Sequence, residues 1–319
     1  MHMKAVFLDW ATMGPDLDTA ELRALLPELE VFDVTEDHEV AARIQDAAFV
    51  LTNKIRLTDE LLNRCPELQF IGLTATGTDN VNLETAARHG VAVCNIRAYC
   101  TQSVAEHVFG CLLSLTHNLG RYAADVRAGE WQKSDNFCLL THPVRELSAM
   151  TLGIVGYGEL GKGVAKTGAA FGMEVIVSMR PGTSEDRDGR VSFDELLARS
   201  DAISLHCPLN DDTRRLFGRE EFLKMKNDAI LINTARGGLI DSAALAEALC
   251  NGQIAAAAID VLPKEPPVQG DPLLDYKGDN LIVTPHIAWA SNEARQAAVN
   301  ELAANIAAFM EGRQRNRVV

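Results

Sequence analysis

The chain has 319 residues, 47% of them hydrophobic and 23% charged, which is the composition of an ordinary globular protein with length enough for two cores. Thirty Lys and Arg against 44 Asp and Glu leave a formal charge of −14, which argues against nonspecific nucleic-acid binding and a polybasic membrane contact. No apolar run reaches the roughly 18 residues of a membrane span, and no leader pattern precedes the first strand. The seven cysteines are odd in number and lack C-x-x-C spacing, so reduced thiols in a cytoplasmic protein are expected.

Met1-His2, ahead of Met3-Lys4, reads as a cloning remnant and is set aside. Strands are then expected at 5–8, 30–32, 48–51, 69–73 and 91–94, with helices at 19–26, 40–45, 58–64 and 83–89. Pro27, Pro66 and Gly90 stop three of the helices. Strand alternating with helix predicts a parallel sheet covered by helices. The third and fourth strands run into polar loops, Thr52-Asn53-Lys54 and Thr74-Ala75-Thr76-Gly77-Thr78-Asp79-Asn80. Thr101 to Arg127 is expected to be one long helix, ended near Gly129 and able to bridge two domains. The loop Glu130 to Ser148 follows, with Trp131, Phe137, Cys138, Leu139 and Leu140. Loops longer than about 12–15 residues are usually functional or form contacts, and this one is expected to pack on a partner subunit.

A second series begins at Thr151, with strands at 152–155, 175–178, 202–205, 229–233, 256–260 and 281–284. The first of these runs into Gly156-Tyr157-Gly158-Glu159-Leu160-Gly161, a G-x-G-x-x-G between strand and helix. Gly156 permits the tight turn, Gly158 lets the backbone approach a pyrophosphate, and Gly161 lets the helix pack on the strand. The helix N-terminus presents N–H groups and a positive dipole end to the phosphates. A dinucleotide is therefore expected here, with Glu159 and Leu160 in its loop. About half the chain precedes the motif, so a substrate-binding half is expected before it. The last helix, 292–310, is long enough to return to the first domain. The expected fold is α/β, with two Rossmann-like or flavodoxin-like domains. Each is a parallel sheet flanked by helices, with a cleft between them. Residues 1–99 plus 290–319 form the substrate-binding domain and 100–289 the dinucleotide-binding domain.

An NAD site needs an acid at the end of the second strand, about 20 residues past the first glycine, for the ribose hydroxyls. The segment here is Met173 to Pro181, the aligned position is Met179, and Glu174 lies at the wrong end. Arg180 suits a 2′-phosphate and Ser178 adds a hydrogen bond, so NADP(H) is favoured, with NAD(H) as the alternative.

Three more motifs follow in order: Ile232-Asn233-Thr234-Ala235-Arg236-Gly237-Gly238, Ala258-Ile259-Asp260-Val261-Leu262-Pro263-Lys264-Glu265-Pro266 and Thr284-Pro285-His286-Ile287-Ala288-Trp289. With the glycine loop, this set resembles the D-isomer-specific 2-hydroxyacid dehydrogenase family over nearly the whole chain. Thr78-Asp79-Asn80, Ser103-Val104-Ala105-Glu106-His107 and Phe137-Cys138-Leu139-Leu140 are similar to its glycerate dehydrogenase / hydroxypyruvate reductase branch.

The resemblance implies hydride transfer between NAD(P)H and a small 2-keto acid such as hydroxypyruvate or glyoxylate, giving the D-2-hydroxy acid. Arg236 matches the catalytic arginine, whose planar fork suits carboxylate and keto oxygens. His286 matches the acid/base, and Glu265 the carboxylate that favours its imidazolium form. Asp260 matches a residue that contacts the nicotinamide amide or orders the loop beneath it. Cys207 and Pro208 match the lining on the adenosine side, and Thr213 is a candidate phosphate or adenine contact. Thr234 and Ala235 are expected under the nicotinamide ring. Thr101 is expected to cap the long helix, contact the cofactor, or both. On the substrate side, Thr76 and Gly77 match the turn whose N–H groups bind the carboxylate, with Asn53 and Lys54 as further contacts. Trp289 shapes the pocket wall or fills the core. His89, His107, His117, His142 and His206 are read as structural. No metal is expected, since His and Cys lack ligand spacing, and a homodimer is expected from the family. The alternatives are a relative acting on formate or phosphite, and a nucleotide-sensing co-repressor on the same fold.

Overall fold

Apolar runs of three to five residues form the strands, and most are buried on both faces because helices cover each side of a parallel sheet. The computed structural model describes residues 3–180 and 189–319. Met1-His2 and Pro181, the last residue of the second-strand segment, lie outside the described residues. The strands are β1 (Ala5–Phe7), β2 (Leu29–Val31), β3 (Phe49–Thr52), β4 (Phe70–Leu73), β5 (Ala92–Cys94), β6 (Thr151–Val155), β7 (Glu174–Val177), β8 (Ala202–Leu205), β9 (Ile230–Asn233), β10 (Ala256–Ile259) and β11 (Leu281–Val283). The helices are α1 (Ala20–Leu25), α2 (Asp37–Ile44), α3 (Asp59–Asn63), α4 (Leu83–Arg88), α5 (Thr101–Thr116), α6 (Leu119–Arg127), α7 (Glu159–Ala170), α8 (Phe193–Arg199), α9 (Arg219–Lys224), α10 (Ser242–Cys250), α11 (Pro272–Asp275) and α12 (Asn292–Met310). They divide between two units, Met1–Cys100 with Ala290–Val319, and Thr101–Trp289.

In the first unit the sheet order is β2-β1-β3-β4-β5, all parallel. This is the flavodoxin-like order. Helix α12 packs on β4 at Gly72, where an added Cβ would lie 2.5 Å from Leu302. Side-chain caps start the helices: Thr58 accepts from Leu61 N, Asn82 from Thr85 N and Ser291 from Ala294 N. The chain then adds an element that periodicity does not announce. Val318 N donates to Val93 O at 2.7 Å, and Arg317 bridges Cys94 antiparallel, so the last residues cover the open edge of β5.

In the second unit the order is β11-β10-β9-β8-β6-β7, again all parallel. From β6 the chain goes to β7 on one side and then to β8 on the other, so a topological switch point lies between β6 and β8. The single helix expected over 101–127 is in fact two. It breaks at Asn118, whose φ of +51° is left-handed, and whose Nδ2 donates to Pro143 O at 2.7 Å. Asn tolerates that conformation because its short amide bonds locally. The 130–148 loop holds two short 3₁₀ turns, at Trp131–Lys133 and Leu147–Ala149, and leaves Phe137 90% and Leu140 85% exposed. Among the described residues no helix is long and apolar enough to cross a membrane.

Candidate active site

The glycine turn sits at the switch point, outside the carboxyl ends of the strands, where open α/β sheets bind ligands. Gly156 has φ +95°, and an added Cβ would lie 2.5 Å from Cys207 N and from His206 C. A Cβ on Gly161 would lie 2.0 Å from Gly156 O, so the first turn of α7 rests directly on the turn. A Cβ on Gly158 would meet nothing within 4 Å. The loop is therefore closed toward the protein and open outward at the N-terminus of α7, with Glu159 and Leu160 in that helix's first turn. This arrangement fits a pyrophosphate. Thr101 packs its methyl on Gly163, 2.4 Å from where a Cβ would be, and its buried Oγ1 has no hydrogen-bond partner among the described residues. Thr101 is thus the first residue of α5 and not its side-chain cap.

At the end of β7, Ser178 is buried and its hydroxyl donates to Met179 O at 2.6 Å, which turns that proton away from any ligand. Met179 is half-buried, its N–H donating to Val191 O at 2.8 Å, and Arg180 is exposed. The chain returns beside β7 at Val191, whose N–H donates to Val177 O. That return brings a further residue to the glycine loop. Arg190 holds its guanidinium carbon 5.8 Å from the ring centroid of Tyr157, in the glycine loop. No local motif marks it, because only the returning backbone brings it there.

At the end of β8, Cys207 is buried and its thiol is pushed up to about 11 by that burial. His206 beside it is pushed down to about 4, also by burial, with Nε2 2.8 Å from Ser204 Oγ and Nδ1 buried without a hydrogen-bond partner among the described residues. Thr213 is buried; its Oγ1 donates to Pro208 O at 2.7 Å and accepts from Asn210 N at 2.8 Å. Its hydroxyl pins the 208–213 turn, and both its donor and an acceptor position are engaged by the chain.

The ends of β9, β10 and β11 lie side by side. Buried Asn233 ends β9, its Nδ2 donating to Arg236 O at 2.9 Å and its Oδ1 accepting from Ala235 N at 3.0 Å. One amide thereby shapes the Thr234–Arg236 turn. Among the described residues Thr234 Oγ1 has no hydrogen-bond partner, although it is buried. Arg236 Nη1 donates to Ala235 O at 2.8 Å. A Cβ on Gly237 would lie 1.9 Å from Leu262 C, so the arginine turn lies directly on the backbone that leads to Glu265.

Glu265 uses both oxygens. Oε1 accepts from Leu262 N at 2.8 Å, and Oε2 accepts from His286 Nδ1 at 2.7 Å. A carboxylate only accepts, so Nδ1 carries the hydrogen and Nε2 is the outward nitrogen. His286 has φ +59°, with its N–H donating to Asp260 O and Thr284 O. Asp260 is 2% exposed and is the hub of this loop. Its Oδ1 accepts from Thr284 Oγ1 at 2.5 Å and Ile287 N at 2.9 Å, and its Oδ2 from Ala288 N at 2.8 Å. Of its two expected roles, ordering the loop is the one these bonds describe. Trp289 Nε1 donates to His286 O at 3.1 Å and braces the same loop. A cavity of about 480 Å³ opens here, with Asp260, Glu265, Pro266, Thr284 and His286 in its wall. Among the described residues no cluster of three or more His, Cys, Asp or Glu is arranged to hold a metal.

The substrate-side candidates belong to the first unit. Asp9, which no sequence motif marks, is 4% exposed just after β1 and accepts from Asn53 N at 2.9 Å and Lys54 N at 2.6 Å. Asn53 is buried, its Nδ2 donating to Thr12 Oγ1, whereas Lys54 is exposed. Thr76 donates through Oγ1 to Ile96 O at 2.9 Å, and its carbonyl accepts from Asn95 Nδ2 at 2.7 Å, which fixes the Thr76-Gly77 turn. Buried Asn305 of α12 donates to Asn95 O and ties that turn to the returning C-terminal helix.

Residues 109–288 match the family model described as D-isomer specific 2-hydroxyacid dehydrogenase, NAD binding domain. The chain is 42% identical over 319 residues to a glycerate dehydrogenase of Methylorubrum extorquens, covering 100% of this chain and 99% of that protein. It is 38% identical over 318 residues to a hydroxypyruvate reductase of Blautia hydrogenotrophica, covering 97% and 98%. Among solved structures, an acyclic imino acid reductase in complex with NADPH and D-Arg superposes with a TM-score of 0.86 at 28% identity, covering 99% of this chain and 100% of that one. The glycine turn at the switch point, the arginine turn and the carboxylate–imidazole pair therefore lie in a chain that belongs to the D-isomer specific 2-hydroxyacid dehydrogenases, the family of nicotinamide-dependent 2-hydroxyacid oxidoreductases.

Proposed function

We propose that the chain interconverts a small 2-keto acid of the hydroxypyruvate or glyoxylate kind with its D-2-hydroxy acid, using NADP(H) in preference to NAD(H). The observation that carries this reading is the Glu265–His286 pair, held at 2.7 Å between the segments after β10 and β11, with the Arg236 turn packed against the Leu262–Pro263 backbone that leads to Glu265. A bound reduced nicotinamide supplies the hydride. The chain supplies the rest. The Arg236 guanidinium holds the substrate carboxylate and polarises the keto oxygen. His286 delivers the proton from Nε2 as the alkoxide develops, while Glu265 holds Nδ1 and balances the ring's charge.

Gly156, Gly158, Glu159, Leu160 and Gly161 form the proposed pyrophosphate loop, with Cys207 and Pro208 on the adenosine side. Thr101, Thr234 and Ala235 are the proposed nicotinamide-side contacts, where two buried hydroxyls without hydrogen-bond partners among the described residues support the reading. Met179 in place of an acid and Arg180 beside it support a 2′-phosphate. Asn53, Lys54, Thr76 and Gly77 are the proposed substrate contacts, of which Lys54 is the exposed cation.

The test is a panel of 2-keto acids, with NADPH and with NADH, followed by loss of reduced-nicotinamide absorbance. Turnover of hydroxypyruvate or glyoxylate with a higher kcat/KM for NADPH is expected. NADPH binding without turnover of any keto acid would overturn the reading. We also propose a homodimer built on the 130–148 loop, supported by exposed Phe137, Leu140, Trp131 and Val144. Phe137→Asp should shift the sedimentation coefficient to that of a monomer, and an unchanged value would remove that loop from the interface. All seven cysteines are free thiols, which supports a reducing compartment such as the cytoplasm.

A further inference from the structure

We propose that His107 is a positioning residue for His286, acting through Thr284 and Asp260. The inference rests on the reading of His286 as the acid/base. His107 lies on α5, far from the glycine loop in sequence, and its side chain is 17% exposed. Its Nε2 is 3.1 Å from Thr284 Oγ1 and 3.8 Å from Asp260 Oδ1. Thr284 directs its own proton to Asp260 Oδ1, at 2.5 Å, because a carboxylate can only accept. The lone pairs of Thr284 Oγ1 are then what Nε2 meets, so Nε2 of His107 carries the hydrogen and donates it. The same Asp260 carboxylate accepts from Ile287 N and Ala288 N, and the Asp260 and Thr284 carbonyls accept from His286 N. Both carbonyls that hold the His286 N–H therefore belong to the residue His107 touches, Thr284, or to Asp260, one hydrogen bond from it.

A second contact from the same helix closes the grip. Ser103, one turn earlier on the same face of α5, donates to Ala288 O at 2.7 Å. Ser103 and His107 thus hold the two ends of the 284–288 loop, with His286 between them in a left-handed conformation that the loop must maintain. A histidine that only filled space on α5 would need one hydrogen-bond partner of any kind. This one bonds the residue two positions before the imidazole that moves the proton.

The test uses His107→Leu, His107→Gln, Thr284→Val and the double variant His107→Leu/Thr284→Val, assayed with hydroxypyruvate and NADPH. His107→Leu should lower kcat about 10-fold, well inside the ~100-fold that an ångström of misplacement can cost. The KM for NADPH should stay within about twofold, since no cofactor contact is removed. His107→Gln should recover most of kcat, because its amide can donate from nearly the position of Nε2. The double variant should be no slower than the slower single one. Without cofactor, the His286 ring resonances, assigned by their loss in His286→Gln, should shift in His107→Leu and return in His107→Gln. A kcat for His107→Leu within twofold of the parent, equal losses in the Leu and Gln variants, or an unmoved His286 resonance would each overturn the proposal. If His107→Leu does not fold, Thr284→Val alone carries the test, and parental kcat there is the overturning result. Parental activity in His286→Gln would instead defeat the acid/base reading and leave the loop geometry untouched.

Discussion

The two ends of the second unit's ligand-facing edge are built by opposite means. The turn after β6, at the switch point, is made of backbone: Gly156 and Gly161 leave no room for a Cβ. The loops after β9, β10 and β11 are made of side chains: Asn233, Asp260, Thr284 and Glu265 hold the backbone where Arg236 and His286 need it. A phosphate recognises N–H groups that any residue carries, so excluded volume is enough to shape its site. A proton transfer needs one nitrogen at one place, and only directional bonds set that.

The comparison can be broken most sharply at the chemistry. His286→Gln keeps an amide for Glu265 but no titrating nitrogen, so kcat should fall about 10³-fold, within the usual range of general acid–base catalysis. Nucleotide binding, followed by fluorescence quenching, should persist. Loss of both together would mean the two ends are not independent. Gly156→Ala should do the reverse. The φ of +95° and the 2.5 Å approach to backbone make it destabilising by about 3 kcal/mol, read from urea melts, with nucleotide binding lost. Parental stability there would refute the role given to excluded volume.

His206, beside the glycine turn, gives a pH signature. Its pKa falls from 6.5 to about 4 through burial, so the folded chain binds fewer protons than the unfolded one between those values. Its contribution is present above about pH 6.5 and is lost as the pH falls toward about 4. The loss is about 3 kcal/mol at most, and His206→Gln should flatten that limb of the stability curve. An unchanged slope would place the acid sensitivity elsewhere. The smallest expected effect is just beyond the end of β7. Arg180→Ala should raise the KM for NADPH about 10-fold, as for one charge-assisted contact, and leave that for NADH within twofold. Equal effects on both nucleotides would detach Arg180 from the 2′-phosphate.

These differences also decide what could be read without coordinates. The glycine turn is legible because its demand is local: three glycines between a strand and a helix describe the volume they vacate. The arginine, glutamate and histidine motifs are legible as motifs, and the family resemblance pairs Glu265 with His286, but the bonds that hold their loops in place are not legible. Asn233 looks like the polar end of a strand until its amide is seen closing the Arg236 turn. The break at Asn118 is hidden because apolar spacing continues on both sides of it. Ser178 and Thr213 were reasonable ligand contacts by position, yet their hydroxyls are taken by Met179 O and Pro208 O. Arg190 and Asp9 had no local signal, since each acts on a segment brought to it by a neighbouring strand.

The order of strands and helices, and the residues that must lack a side chain, were determined by the chain itself, because periodicity and backbone conformation are properties of neighbouring residues. The tertiary structure alone decided that β10 lies between β9 and β11, that Asp260 gathers the loop around His286, and that α5 reaches that loop. The physical reason is range: turns and helices close over a few residues, whereas a hydrogen bond between strand ends exists only after the sheet has chosen its order.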